Sequence, residues 1–114
     1  MNSFDIDGVI YIRKGLIGVR PGPDDVIITG RSFEEEPETK AMLHEAGIFN
    51  TVFYNPLKFD QKSRAGSGVH KANTLNMLRS IGEDIQIHFE DDPIQIEEIK
   101  KLAPWVNIVH LDHD

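Results

Sequence analysis

The stretch Phe4-Asp5-Ile6-Asp7-Gly8-Val9-Ile10 decides the fold, because apolar residues there give way to carboxylates and a turn. A short strand is predicted to end near Ile6, and Gly8 permits backbone conformations that other residues adopt rarely. Asp5 and Asp7 are therefore expected at the end of a strand. A purely structural turn would also use these residue types, because Asp and Gly both favour turns. The other motifs of the chain have to decide whether these carboxylates carry out chemistry or only form a turn.

Length and composition indicate one soluble domain. The chain has 114 residues, of which 39% are apolar and 27% charged, and these values are typical of a globular protein. It has no cysteine, which excludes disulfides and thiolate chemistry. With neither a membrane-length apolar run nor a secretory signal, a cytoplasmic location is expected. The net charge of −7 argues against a broad basic surface for double-stranded nucleic acid.

Apolar strands alternate with helical patterns along the whole chain. After the first strand, the pattern predicts strands at Val26-Ile27-Ile28, Thr51–Tyr54, Ile85–Phe89 and Val106–Leu111. Helices are predicted over 32–46, 69–80 and from Pro93 to just before Pro104. This alternation predicts a single α/β domain over residues 1–114, with a parallel sheet covered by helices on both faces.

Two helix starts carry specific signals. Ser32 and Glu35 have the spacing of a capping box, in which each side chain satisfies a free backbone donor. The helix that follows should stop at Gly47. Asp92-Pro93 opens another helix, because Asp caps well and Pro suits the first helical position. Both helices start shortly after predicted strands, which places their N-termini at the same edge of the sheet.

Hydroxyl, amide and ammonium groups follow the strands in the middle of the chain. Together with the carboxylates, they suggest a site for cation-assisted phosphoryl transfer. The Thr29 hydroxyl and the Gly30 amide could hydrogen-bond a phosphoryl oxygen. Arg31 could grip a second phosphate or a base edge, or be a solvated loop residue. Lys71, expected at the start of a helix, could neutralise Asp5 and a transferring phosphoryl group. Lys62 is the competing choice for that role.

Three consecutive carboxylates, Glu90, Asp91 and Asp92, follow the predicted strand Ile85–Phe89. Their mutual repulsion calls for a compensating cation. Mg²⁺ prefers a few carboxylates, water and substrate phosphate oxygens, which suits this cluster. Which of the three acts is left open, although Asp92 already has a role as a helix cap. Asp91 and Glu90 are therefore favoured as metal ligands.

This ordered set of motifs resembles the haloacid dehalogenase (HAD) superfamily of phosphohydrolases over almost the whole chain. The resemblance implies a three-layer Rossmann-like fold whose five strands have the order 5-4-1-2-3, and a Mg²⁺-dependent phosphatase. Asp5 would form an aspartyl-phosphate, and Asp7 would act as general acid and base. The implied catalytic residues are Asp5, Asp7, Thr29 and Lys71. Gly30 and Arg31 would bind substrate, and Asp5, Asp7, Glu90 and Asp91 would hold the metal.

No segment between the motifs is long enough for a cap domain, so the site is expected to be open. The stretch from Thr29 to Pro93 is similar to the phosphatase domain of polynucleotide kinase-phosphatases. That similarity favours 3′-phosphate ends of nucleic acid, or nucleotides, as substrates. The alternative is a HAD-like binding or regulatory protein with little turnover. A response-regulator receiver does not fit, because the third strand runs into Tyr54-Asn55-Pro56 with no aspartate.

Overall fold

Strands and helices alternate along the chain in the computed structural model, which describes residues 1–13 and 16–112. In chain order the described elements are β1 (Asn2–Phe4), β2 (Tyr11–Arg13), β3 (Leu16–Ile17), β4 (Val26–Ser32), α1 (Glu36–Glu45), β5 (Val52–Asn55), α2 (Arg64–Ser80), β6 (Ile87–Glu90), α3 (Pro93–Leu102) and β7 (Asn107–His110). No helix in these residues has the length and apolar character needed to cross a membrane.

A five-stranded parallel sheet has the order β5-β4-β1-β6-β7. This numbering differs from the predicted order 5-4-1-2-3, because β2 and β3 were not predicted. These two strands pair with each other in a separate antiparallel hairpin. Numbered within the sheet alone, from β7 to β5, the strands run fifth, fourth, first, second and third. Since β1 lies between β4 and β6, the carboxyl ends of these three strands meet at one edge.

Apolar side chains cover both faces of the sheet, as the alternation along β4 shows. Ile28 packs in one cluster with Leu75 of α2 and Ile99 of α3. Ile27, which points the other way, packs with Leu43 of α1 and with residues that follow β1. The sheet is thus the middle layer of three. Helices α2 and α3 share the first cluster and so cover the same face of the sheet, while α1 covers the other.

Of the predicted boundaries that differ from the structure, two matter for the site. The second strand continues through Thr29 and Gly30 to Ser32, instead of ending at Ile28. Helix α2 begins at Arg64, not near Val69, and its cap is Ser63, whose hydroxyl accepts a hydrogen bond from the Gly66 amide. As a result, Lys71 lies inside the helix rather than at its start.

The predicted capping signals are present. Ser32 and Glu35 form the reciprocal capping box, although the first turn they cap is a 3-10 turn (Phe33–Glu35) that leads into α1. Gly47 follows α1 with a φ of 76°, which favours glycine. Asp92 caps α3 by accepting a hydrogen bond from the Ile94 amide at 2.9 Å. These caps fix where the chain enters and leaves the edge that carries the site.

Candidate active site

A cleft of about 570 Å³ lies at the edge where β1, β4 and β6 end. Asp5 is the first residue after β1, and Gly8, with a φ of 82°, turns the chain back after it. Six of the residues predicted for the site line the cleft: Asp5, Asp7, Gly30, Arg31, Lys71 and Asp91. Thr29 and Glu90 have no exposed surface and are not among the described residues that line it.

The floor of the cleft is a buried chain of polar groups. Lys71, only 1% exposed, places its Nζ 3.1 Å from Asp5 Oδ1 and 2.7 Å from Glu90 Oε1. Glu90 Oε1 also lies 3.1 Å from His88 Nε2, and His88 Nδ1 lies 2.7 Å from Ser3 Oγ. Because an ionised Glu90 can only accept, His88 donates from Nε2 and accepts at Nδ1 from the Ser3 hydroxyl. The ammonium of Lys71 is thereby held between two carboxylates and is almost completely buried.

Burial and charge act in opposite directions on these groups. Burial raises the pKa of Asp5 well above its ordinary value, although Lys71 opposes the shift. Burial also acts to raise the pKa of Glu90, but Lys71 and His88 outweigh it and hold that pKa far below its ordinary value. Despite its own burial, Lys71 has a raised pKa because Asp5 and Glu90 surround it. Lys71 and Glu90 therefore form a firm ion pair, whereas the charge on Asp5 is only partly compensated.

Asp91 completes a group of three carboxylates with Asp5 and Glu90, whose oxygens lie within 4.8 Å of one another. Burial and the neighbouring Glu90 raise the pKa of Asp91. Both oxygens of Glu90 already accept hydrogen bonds from the protein, one from Lys71 and His88 and the other from the amides of Asp91 and Asp92. Asp5 and Asp91 are therefore the better placed pair for a cation, with Glu90 behind them.

Asp7 lies outside this group and forms an ion pair with Arg31. Arg31 Nε lies 2.9 Å from one Asp7 oxygen and Nη2 lies 2.8 Å from the other, in the fork geometry of a strong charge-assisted pair. The Asp7 bond raises the pKa of Arg31. Asp7 is not a member of the candidate metal group among the described residues. Both residues line the cleft, but their charged groups bind each other and do not face an empty site.

The two residues expected to bind a phosphoryl oxygen lie on β4. The Thr29 hydroxyl, which is buried, accepts a hydrogen bond from the Arg31 amide at 3.0 Å. Gly30 faces the cleft beside Ser67 of α2, where a Cβ would come within 2.9 Å of the Ser67 hydroxyl. Thr29 therefore shapes the strand end next to the cleft, while Gly30 brings backbone close to it.

Two ion pairs lie at the rim of the cleft, and their pairing was not predicted. Lys62 Nζ lies 2.7 Å from Glu35, the capping-box residue. Arg64 makes a two-pronged pair with Asp92, the cap of α3, at 2.9 and 2.8 Å. All four residues line the cleft. The signal available in the sequence was the pair of basic residues at the start of α2, Lys62 and Arg64, which meet two helix caps that contain carboxylates.

We expect His88 to make the fold more stable at neutral pH than in mild acid. Burial lowers its pKa, so the unfolded chain binds a proton more readily than the folded one. Stability should therefore fall as the pH drops below about 6.5, at up to about 1.4 kcal/mol per pH unit. Urea unfolding of wild type and His88→Asn between pH 7.5 and 5 measures this slope. If His88→Asn has the same slope as wild type, His88 is not the source of the pH dependence. His70, whose pKa is also lowered by burial, should account for part of the slope that remains in the variant.

Comparison with models of protein families, with curated proteins and with solved structures found no match to this chain.

Proposed function

We propose that this protein is a Mg²⁺-dependent phosphomonoesterase with a HAD-like fold, in which Asp5 forms an aspartyl-phosphate. The observation that carries the proposal is the buried Lys71 ammonium between Asp5 and Glu90, at the floor of an open cleft. A carboxylate with a compensating cation beside it can meet an anionic phosphoryl group, which isolated carboxylates would repel. Mg²⁺ bound at this site would neutralise further charge on the phosphoryl oxygens.

The residues at the floor suit such a cation. Asp5 and Asp91 approach each other at the cleft and would hold it, leaving room for water and substrate oxygens as Mg²⁺ prefers. The pKa of each is raised, which marks excess negative charge and burial at this point. Gly8 packs so closely on Asp91 that a Cβ at position 8 would overlap its carboxylate. Glycine at this turn thus makes space for Asp91.

In the proposed reaction the Asp5 carboxylate attacks phosphorus, and the bond from phosphorus to the leaving oxygen breaks. Asp7 donates a proton to that oxygen, and later accepts one from the water that hydrolyses the aspartyl-phosphate. Before it can donate, Asp7 has to release Arg31 and take up a proton from solvent, to which its side chain is exposed. The Nε and Nη2 groups of Arg31 can then bind a phosphoryl oxygen, while Nη1 keeps its hydrogen bond to Thr39. Lys71 stays in place throughout and stabilises the charge that develops beside Asp5.

The Asp7–Arg31 pair also supports the second candidate function, a binding or regulatory protein of the same fold. Both Asp7 oxygens are occupied by the guanidinium, so the general acid is not poised for proton transfer as the structure stands. Turnover separates the two functions. A protein that binds Mg²⁺ and phosphate but hydrolyses no phosphomonoester would belong to the second.

The test is hydrolysis of para-nitrophenyl phosphate, a 3′-phosphorylated oligonucleotide and a nucleoside monophosphate, each with Mg²⁺ and with chelator. Turnover that requires Mg²⁺ supports the phosphatase, and the preferred substrate distinguishes a nucleic-acid end from a nucleotide. Absence of turnover from folded protein with all three substrates would contradict it.

Gly8→Ala is expected to weaken Mg²⁺ binding about tenfold or more, because the new methyl group would displace the Asp91 carboxylate. Gly82→Ala is the matched control: Gly82 has a similar φ of 94°, but nothing lies within 4 Å of a Cβ there. Both variants carry backbone strain of about 1–2 kcal/mol. Only Gly8→Ala should lose the rise in melting temperature that Mg²⁺ gives to wild type. Equal responses of the two variants to Mg²⁺ would count against Asp91 as a ligand.

A further inference from the structure

A second cleft, of about 640 Å³, adjoins the first between the β2–β3 hairpin and the C-terminal half of α1. Its walls are mostly apolar: Tyr11, Ile12 and Ile17 come from the hairpin side, and Met42 and Ala46 from the side of α1. The volume is in the range of sites for small molecules. Apolar walls around a cleft of this size favour a ligand with an apolar body.

Hydrogen bonds fix the hairpin beside the cleft to the rest of the domain. The Tyr11 hydroxyl donates to the Met42 carbonyl oxygen at 3.0 Å, which ties β2 to α1. The Gly18 amide donates to the Ile10 carbonyl oxygen at 2.7 Å, which ties the end of the hairpin to the core segment after β1. The site is therefore formed before a ligand binds, and preorganisation of this kind favours affinity.

Asp7 and Arg31 line both clefts, so the two clefts share a wall at these residues. In the proposed function Asp7 protonates the leaving oxygen, so that oxygen has to lie beside Asp7. The group that the oxygen carries then continues past Asp7, away from Lys71 and into the second cleft. Resting on the proposed function, we infer that the second cleft binds the leaving group, and that the substrates are small phosphomonoesters whose leaving group carries an aromatic or apolar ring.

The side chains at the cleft fit such a ring. Met42 is unbranched and polarisable, and it adapts to flat ligands and to aromatic ones in particular. Ile12 is 42% exposed, so a ligand in the cleft would bury apolar surface that water now covers. Arg13 and Glu45 also line the cleft and offer charges of both signs to polar substituents on the ring.

The experiment compares kcat/KM for naphthyl phosphate and for glycerol phosphate, both with Mg²⁺, in wild type, Ile12→Ser and Leu16→Ser. Leu16 is the matched control: it belongs to the same hairpin and has the same exposed fraction, 42%, but is not among the described residues that line the cleft. Ile12→Ser should lower kcat/KM for naphthyl phosphate about tenfold and leave glycerol phosphate within about twofold. Leu16→Ser should leave both values unchanged.

Each outcome decides between the inference and the function on which it rests. If wild type hydrolyses glycerol phosphate with Mg²⁺ but Ile12→Ser does not change the ratio of the two kcat/KM values, the leaving-group cleft is overturned and the phosphatase stands. If wild type hydrolyses neither ester, the leaving-group cleft is overturned, and the assay with para-nitrophenyl phosphate, the oligonucleotide and the nucleotide decides whether the phosphatase stands. Should Ile12→Ser fail to fold, Ala46→Leu, which narrows the cleft, takes its place with the same expected change in the ratio.

Discussion

Asp5→Asn should abolish Mg²⁺-dependent phosphatase turnover and, at the same time, raise the stability of the protein near neutral pH. Asparagine lacks the anionic oxygen that attacks phosphorus, so turnover should fall roughly 10³-fold or more. Its amide oxygen can still accept the hydrogen bond that the Ile6 amide gives to Asp5 at 2.8 Å. The loss of activity should therefore occur without loss of the local fold.

The gain in stability follows from the sign of the pKa shift. Burial raises the pKa of Asp5 above its unfolded value, and Lys71 offsets only part of this. Such a group contributes stability below its unfolded pKa and loses it as the pH rises through its folded pKa. Ionised Asp5 thus costs stability at neutral pH, and its replacement should add on the order of 1 kcal/mol to the free energy of unfolding.

Thermal melts of wild type and Asp5→Asn at pH 7.5 and pH 5, alongside the hydrolysis assay, test both halves of this expectation. The variant should melt higher than wild type at pH 7.5, and the difference should shrink toward pH 5. Asp60→Asn removes the same charge from an exposed position outside the cleft and should change neither property. A variant that melts lower than wild type at pH 7.5, or that retains turnover, would be incompatible with the site as described.

Lys71→Met should destabilise the fold by about 3–5 kcal/mol, because it leaves Asp5 and Glu90 buried without their shared counter-ion. The methionine side chain fills similar volume, so the loss reports charge more than packing. For a domain of this size, such a loss removes a large part of the total stability. Low yield or partial unfolding of the variant at 37 °C is therefore expected.

Two comparisons identify charge as the cause. Lys101→Met removes a lysine that is 58% exposed and paired on the surface of α3, and it should leave the unfolding free energy nearly unchanged. Lys71→Met/Glu90→Gln should recover part of the loss, because the remaining site holds one buried carboxylate fewer. The deficit should also be smaller at pH 5 than at pH 8, where the carboxylates are ionised. If Lys71→Met unfolds in urea like wild type, the buried ion pairs do not contribute the expected free energy of unfolding.

Much of the scaffold could be predicted from local signals. The apolar runs around Ile27 and Phe89 indicated strands, and the Ser32–Glu35 and Asp92–Pro93 signals marked helix starts that the structure contains. The meeting of Asp5 with Glu90 and Asp91 was expected from the strand order that the resemblance implied, because that order makes the first and fourth strands neighbours.

The wrong boundaries have tertiary causes. Glycines disfavour helix, so the run Gly66-Ser67-Gly68 was taken as loop, yet it forms the first turns of α2. Gly68 lies against α3 so closely that a Cβ would come within 2.9 Å of Gln95 Cα. The glycine is therefore needed for helix packing, which outweighs its low propensity. No local pattern reveals such a contact.

The polar chain behind the cleft was missed for a related reason. Ser3 and His88 are polar residues on neighbouring strands, and neither was predicted to belong to the site. Both are fully buried, and each satisfies the other through a 2.7 Å hydrogen bond. Side chains this far apart in sequence become partners only once β1 and β6 are paired. Likewise, no signal in Asp7 or Arg31 alone predicted that they would bind each other.

The most direct test of the proposed mechanism is the mass of the protein after brief exposure to para-nitrophenyl phosphate and Mg²⁺, quenched in acid and followed by peptide mapping. An aspartyl-phosphate at Asp5 predicts a mass increase of one phosphoryl group on the peptide that contains this residue, present in wild type and absent in Asp5→Asn. Sustained hydrolysis with no phosphoryl group on Asp5, or with the group on another residue, would contradict it.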